Sequence, residues 1–152
     1  MRCYKCKANK LAPVKVLEHV EVASHKFTGK VAGRKCGKCG EVLIHGPALE
    51  RFELLAAAKL AEAGEANGEA FKFMRKAAGL RGAGLAALLD VAGETVSRWE
   101  TGALPVERRA LALLGTIVTE AAAGRTAALD RLRALQAPAK LPKVVKLPTK
   151  AA

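Results

Sequence analysis

The chain begins with a stretch in which apolar and polar residues alternate, as they do in β-strands. Between residues 14 and 22, valine occupies most of the even positions. A period of two sends alternate side chains to opposite faces of a sheet. We therefore predict a strand over 14–22, an antiparallel partner over 25–31 and a third short strand over 41–44.

Further along, apolar residues recur every three or four positions, which is the spacing of helices that bury one face. A helix opened by Pro47 is predicted to end at the glycines of 64–68, which we expect to form a hinge. Helices are also predicted over 69–78, after Pro105, and over 127–135. The leucines of the last helix either complete the core or form a dimer face; they are Leu129, Leu132 and Leu135.

The stretch 80–102 contains two short helical patterns with a break at residues 90–92. This is the form of a helix-turn-helix, whose second helix enters the major groove of DNA. Asp90 lies where the turn requires a residue that tolerates the left-handed conformation. Val96 and Trp99 are expected to pack on the core. The outer face of the second helix then carries Gly93, Glu94, Thr95, Ser97 and Arg98. The alternative is an amphipathic helix pair without a role in DNA binding.

Residues 95–100, Thr-Val-Ser-Arg-Trp-Glu, followed by Gly102 and Pro105, resemble the recognition helix and exit turn of the Xre/Cro family. The resemblance covers roughly 71–118. It implies that Arg98 contacts a guanine edge, with Glu94 and Thr95 adding selectivity. The first motif helix departs from the family, because glycines 82 and 84 stand where the family has Gln and Glu. We expect the phosphate contacts to come from Lys72, Arg75 or Arg81.

Four cysteines form two Cys-x-x-Cys pairs, with 29 residues between the inner two. The start of the chain lacks the apolar core of a signal peptide, so we expect a cytoplasmic protein with reduced thiols. Four thiolates in two such pairs match a closed, structural zinc site. The expected ligands are Cys3, Cys6, Cys36 and Cys39. We expect the three histidines, His19, His25 and His45, to lie outside this site.

The formal net charge of +12 is concentrated at the two ends of the chain. Residues 1–47 carry +7 and residues 138–152 carry +4, whereas residues 69–118 carry only +2. Such an excess suits a partner rich in phosphate, although it also serves solubility. Three prolines and four lysines indicate that 138–152 is a disordered tail, either an arm along DNA or a solubilising segment. No segment approaches the ~18 apolar residues of a membrane span.

The order of these parts resembles the MqsA-type antitoxins of bacterial toxin–antitoxin operons. The resemblance rests on the four cysteines, on Gly40-Glu41 after the last of them, and on Ser97-Arg98. It implies a structural zinc, an N-terminal domain that binds a small mRNA-cleaving toxin, and a C-terminal domain that dimerises on a palindromic operator. The chain departs from the family in its basic zinc domain and its lysine tail. Glu94 also stands where the best-known member carries Asn, which implies a different base preference.

The sequence thus predicts an α+β protein with a zinc-binding β domain over 1–47, a linking helix and hinge over 48–68, an all-α helix-turn-helix domain over 69–137, and the disordered tail. The predicted function is that of a DNA-binding repressor, the antitoxin of a type II operon, acting as a homodimer. The alternative is a stand-alone Xre-family regulator whose zinc domain makes a second nucleic-acid or protein contact. We expect no enzyme, because the chain has two serines and no glycine-rich phosphate loop.

Overall fold

The computed structural model describes residues 1–149 of the 152-residue chain. In this part of the chain, three strands form an antiparallel sheet and six helices follow it, which confirms the α+β class. The strands are β1 (Leu11–Val22), β2 (His25–Cys36) and β3 (Val42–Ile44). The helices are α1 (Gly46–Glu62), α2 (Gly68–Ala77), α3 (Gly82–Leu89), α4 (Gly93–Thr101), α5 (Arg108–Ala122) and α6 (Ala127–Gln136). None of these described helices has the length and apolar character needed to cross a bilayer.

β1 and β2 form a long hairpin that pairs along its whole length, from Leu11 opposite Cys36 to Val22 opposite His25. Two residues join the strands, Ala23 with a φ of 50° and Ser24 with a φ of 65°. Positive φ at both positions is the requirement of a type I′ turn, whose twist matches that of the flanking strands. The hairpin is therefore closed by the turn geometry that two-residue connections favour, although neither residue is a glycine.

β2 is longer than the strand predicted over 25–31, and it runs directly into the second cysteine pair. Its last residues lack an apolar alternation because Gly33 lies against the backbone of β3. A methyl group on Gly33 would lie 2.8 Å from the carbonyl oxygen of Leu43. β3 pairs with residues 33–35, so this part of β2 has a partner strand on both edges. Backbone pairing extends the strand where the side-chain pattern gives no signal.

One hydrophobic core joins the turn end of the hairpin to the helices. The rings of Phe71 and Trp99 meet edge to face with their centroids 5.7 Å apart, an arrangement that adds to the stabilisation from burial alone. Val22 brings β1 into the same cluster. The largest fully buried side chains all come from α2 to α5, apart from two cysteines; they are Phe71, Met74, Leu85, Val96, Leu114 and Val118.

α1 packs into this core through the buried residues 56–58, which are three successive alanines, and through Leu60. Small side chains let helices approach closely, and α1 contacts α5, α2 and β2. The connection to α2 is packed as well, because a methyl group on Gly68 would lie 2.3 Å from the carbonyl oxygen of Trp99. The helical part of the segment 48–68, which the sequence predicts as a linking helix and hinge, therefore packs into the helical core.

α6 lies on the surface and contributes no buried side chain. It contacts α5 and α3, and Leu135 near its end is 71 % exposed. Residues 138–149 form neither helix nor strand and are exposed to solvent. The rest of the predicted tail, residues 150–152, lies outside the described residues.

Candidate metal centre and candidate nucleic-acid interface

The four cysteines converge on one point at the open end of the hairpin. Their Sγ atoms all lie within 4.8 Å of one another, and all four thiols are free. The Sγ atoms of Cys3 and Cys39 are 3.7 Å apart, and those of Cys6 and Cys36 are 3.6 Å apart. Disulfide sulfurs are only about 2.05 Å apart. A metal bound at about 2.3 Å from each sulfur gives a tetrahedron with edges of about 3.8 Å. The cluster therefore fits a tetrahedral metal ion.

Both cysteine pairs have the same backbone geometry. In the first pair, the amide of Cys3 donates to the Ala8 carbonyl and the Lys7 amide donates to the Cys3 carbonyl. In the second, Cys36 donates to Glu41 and Gly40 donates back to Cys36. The residue after each pair has a left-handed conformation, with a φ of 59° at Lys7 and 76° at Gly40. Each turn folds back on itself so that its two sulfurs face the same point.

In each turn, backbone hydrogen bonds lower the pKa of the first cysteine thiol. Hydrogen bonds from the backbone of Cys39 and of Lys38 lower the pKa of Cys36 to about 6. The backbone of Cys6 lowers the pKa of Cys3 in the same way. At Cys39 a backbone hydrogen bond from Glu41 lowers the pKa, but desolvation and the neighbouring thiols outweigh it and raise the pKa to about 12. Four thiolates this close repel one another, and a bound cation removes that repulsion.

Glu41 joins the two turns on the outside of the cluster. Its carboxylate accepts a hydrogen bond of 2.6 Å from the Tyr4 hydroxyl and one of 2.9 Å from the Lys5 ammonium. These two bonds, Tyr4 first, lower the pKa of Glu41. Nothing in the pattern around Tyr4 or Lys5 indicates a contact with a residue 37 or 36 positions away, so the sequence does not predict this role. The three histidines lie outside the cluster.

α3 and α4 are two short helices joined by a three-residue connection. Asp90 ends α3 in the left-handed conformation, with φ 55° and ψ 46°, as its place in the sequence predicts. Val96 and Trp99 are buried on the inner face of α4. The candidate interface is the opposite face, where Glu94 and Arg98 form an ion pair of 2.6 Å. Its members are exposed except Thr95, which is half-buried; they are Gly93, Glu94, Thr95, Ser97 and Arg98.

Two of the three residues predicted to hold phosphate are exposed, namely Lys72 on α2 and Arg81 just before α3. Arg75 is different, because it is buried at 8 % exposure and forms a bidentate ion pair with Glu100. Its remaining terminal nitrogen donates to the Leu80 carbonyl over 2.8 Å. Arg75 therefore links α2 to α4. Contrary to the prediction, its guanidinium is buried and paired, so it is not free to contact phosphate. The sequence does not distinguish it from Lys72, since both are cations in one helix.

A groove of about 710 Å³ lies between α1 and β2. Phe27, Phe52 and Leu55 supply much of its apolar lining. Leu55 is 45 % exposed there. The ring of Phe52 lies so close to Gly29 that a methyl group on that glycine would approach it to 3.0 Å. The groove is an open, largely apolar surface that residues at the end of α5, Thr119, Ala122 and Ala123, also line.

No protein-family model matches the chain, and no curated protein matches it. The resemblances to the Xre/Cro family and to the MqsA-type antitoxins therefore rest on the motif residues themselves.

Proposed function

We propose that this protein is a sequence-specific DNA-binding repressor that uses α4 as its recognition helix. The observation that carries the proposal is the division of α4 into two faces. Val96 and Trp99 pack one face against the core. The other face exposes short or flexible polar side chains, which suit contacts with base edges. A helix held in this way after a tight turn suits the major groove of DNA. Such a role belongs in the cytoplasm.

In this proposal Arg98 donates two hydrogen bonds to a guanine edge. Its ion pair with Glu94 orients the guanidinium in the free protein, and Glu94 can accept a hydrogen bond from a neighbouring cytosine. Thr95 and Ser97 add contacts from the same face. Lys72 and the residue before α3, Arg81, contact phosphates and fix the position of the helix.

The test is a titration of a fluorescent duplex that carries the protein's selected site. Arg98→Ala is expected to weaken binding to that site by about 1–3 kcal/mol, which is roughly 5- to 150-fold, and to relax specificity there. Arg125→Ala is the matched control, because Arg125 is also an exposed arginine and lies in the α5–α6 connection, outside α4 and the proposed dimer face. An equal loss for Arg98→Ala on a random duplex would contradict a base contact.

We further propose that the cysteine cluster holds a structural zinc ion. Four sulfur ligands fill the tetrahedron, so the site has no open position for catalysis. The hairpin and the short β3 bury little apolar surface at this end, where Cys3 and Cys36 are the buried side chains. Domains this small usually need a metal to hold their loops. The role assigned to the metal is therefore to fix the two turns against each other.

The groove between α1 and β2 supports the antitoxin assignment, because an open apolar surface fits a protein partner. We propose that it contacts the small toxin encoded beside this gene. Co-expression with the neighbouring genes is expected to yield a stoichiometric small protein with the wild-type chain. Leu55→Asp is expected to lose that protein. Leu17→Asp, which changes a leucine outside the groove that is 70 % exposed, is expected to retain it. Equal retention by both variants would contradict the assignment.

A palindromic operator requires two copies of the chain, and we propose that α6 forms the dimer face. Its lack of any buried side chain supports this, because Leu135 is 71 % exposed and Leu129 and Leu132 are only half-buried. Leu135→Glu is expected to shift the sedimentation equilibrium to the monomer. Leu141→Glu, at a tail leucine that is 78 % exposed, is the control and should leave the dimer intact. A wild-type monomer at all concentrations would refute the dimer.

A further inference from the structure

The hairpin has an exposed face that α4 does not use, and only its β2 residues Thr28, Lys30 and Ala32 also line the groove between α1 and β2. The register of β1 and β2 places Arg34 opposite Pro13, Lys15 opposite Ala32, and Lys30 opposite Leu17 in three successive rows. Two further rows pair His19 with Thr28 and Glu21 with Lys26. Since side chains alternate along a strand, these ten residues share one face, which we call the hairpin outer face. All ten are exposed, whereas most of the opposite face is buried or half-buried.

The cations on the hairpin outer face are largely unneutralised. Lys26 lies 4.0 Å from Glu21, the one acidic residue on this face. In the described part of the chain, Arg34, Lys15 and Lys30 form no ion pair. Three successive rows therefore each present one free positive charge, alternating between the two strands. Their mutual repulsion is relieved by an anion with regularly spaced charges.

The spacing of the rows fits a nucleic-acid strand. Each row lies two residues, or about 6.8 Å, from the next. One strand of DNA presents a phosphate for every 3.4 Å of helix axis, so three charged rows that span about 13.6 Å lie within reach of several phosphates. A protein partner fits this face less well. Leu17 is its only large apolar side chain, and the centres of protein interfaces are depleted of charge.

We propose that the hairpin outer face binds the phosphate backbone of double-stranded DNA through Arg34, Lys15 and Lys30. This site rests on the proposed DNA-binding role of α4, to which it adds a second contact that is independent of sequence. It assigns a function to the positive charge of residues 1–47, which the proposed contacts of α4 with DNA do not involve.

The experiment measures how the affinity of the zinc-loaded full chain for a random 30-base-pair duplex changes with salt. The test variant combines Lys15→Gln, Lys30→Gln and Arg34→Gln. A charge-conserving variant exchanges Lys and Arg at the same three positions. The control removes three positive charges elsewhere, all exposed at the start of α5 and in the α5–α6 connection; it combines Arg108→Gln, Arg109→Gln and Arg125→Gln. Circular dichroism and zinc content confirm that each variant is folded.

Three phosphate contacts add about 2.7 to the slope of log affinity against log salt. Between 50 and 200 mM salt the wild type is therefore expected to lose roughly 40-fold more affinity than the test variant. The charge-conserving variant should follow the wild type, and the control should change the slope much less. Sequence preference on the selected site should persist in the test variant.

Equal changes in the test variant and the control would overturn the proposal, since they would show a general effect of net charge. A larger loss on an RNA duplex of the same sequence than on DNA would overturn the assignment to DNA. If the test variant binds like the wild type while Arg98→Ala loses specificity, only the hairpin site fails. If the wild type binds no duplex at all, the recognition helix fails as well.

Discussion

The buried ion pair between Arg75 and Glu100 leads to the sharpest prediction about stability. The two side chains are only 10 % and 9 % exposed, and the second contact of the pair, from Arg75 Nη2 to Glu100 Oε2, is 3.1 Å long. Glu100→Gln leaves the guanidinium buried without its countercharge. Removing one partner of a buried pair costs about 3–5 kcal/mol. Because Gln keeps one oxygen acceptor, we expect about 3 kcal/mol.

The same helix supplies the matched control. Arg98 and Glu94 form a pair of similar chemistry, but their side chains are 54 % and 72 % exposed. A helical pair of this kind contributes about 0.2–0.5 kcal/mol, and a first-turn acid adds a few tenths more through the helix dipole. Glu94→Gln should therefore cost less than about 1 kcal/mol. The difference between the two variants arises chiefly from the burial of the Arg75–Glu100 pair.

The assay is urea unfolding followed by the fluorescence of Trp99, which is the only tryptophan and lies beside Glu100 in the sequence. The expected loss of about 3 kcal/mol corresponds to a fall in Tm of roughly 6–12 °C for a chain of this size. The double variant Arg75→Met with Glu100→Leu should recover much of the loss, because it buries no charge. Equal losses for Glu100→Gln and Glu94→Gln would refute the reasoning.

Three further predictions concern the metal, the turn before α4 and the tail. Chelation of a metal bound by the four cysteines should reduce the β-sheet signal in circular dichroism while the fluorescence of Trp99 persists, because the cysteine cluster lies at the open end of the hairpin whereas its turn end packs into the helical core; simultaneous loss of both signals would contradict this. Asp90→Gly should raise the free energy of unfolding by about 0.5 kcal/mol, since glycine adopts positive φ without strain. Gly102→Ala, at a φ of 79°, should lower the free energy of unfolding by about 1 kcal/mol. Calorimetry checks both values, and changes of the opposite sign would be inconsistent with the backbone argument. Removal of residues 138–152 should flatten the salt dependence of DNA binding by up to about 0.9 for each lysine in contact, and an unchanged slope would show that the tail does not contact DNA.

Strong local patterns made much of the fold predictable. The valine alternation located β1, the paired cysteines located the metal cluster, and the break at residues 90–92 located the turn between α3 and α4. The strand and the turn depend on residues close together in the sequence, and each cysteine pair is itself local, although the two pairs meet across the hairpin. Asp90 is the clearest case, because its conformation follows from the local need to end one helix and begin another.

Features that depend on distant contacts could not be predicted. The extension of β2 to Cys36 depends on its pairing with β1 and β3, and no side-chain pattern in the sequence indicates that pairing. The burial of Arg75 depends on Glu100, 25 residues away on another helix. The contacts of Glu41 with Tyr4 and Lys5 arise only once the two cysteine turns meet. In each case the contact depends on how distant parts of the chain pack together, and a single sequence does not specify that packing.

The central claim is that α4 recognises a specific DNA sequence, and selection from a random duplex library tests it most directly. The zinc-loaded full chain is incubated with the library, and the bound duplexes are recovered, amplified and sequenced over several rounds. We predict enrichment of a palindrome whose half-sites lie about 10 base pairs apart, one helical turn of DNA, and which contain a guanine. Arg98→Ala should fail to enrich that guanine. Recovery of duplexes without any common sequence would contradict the account.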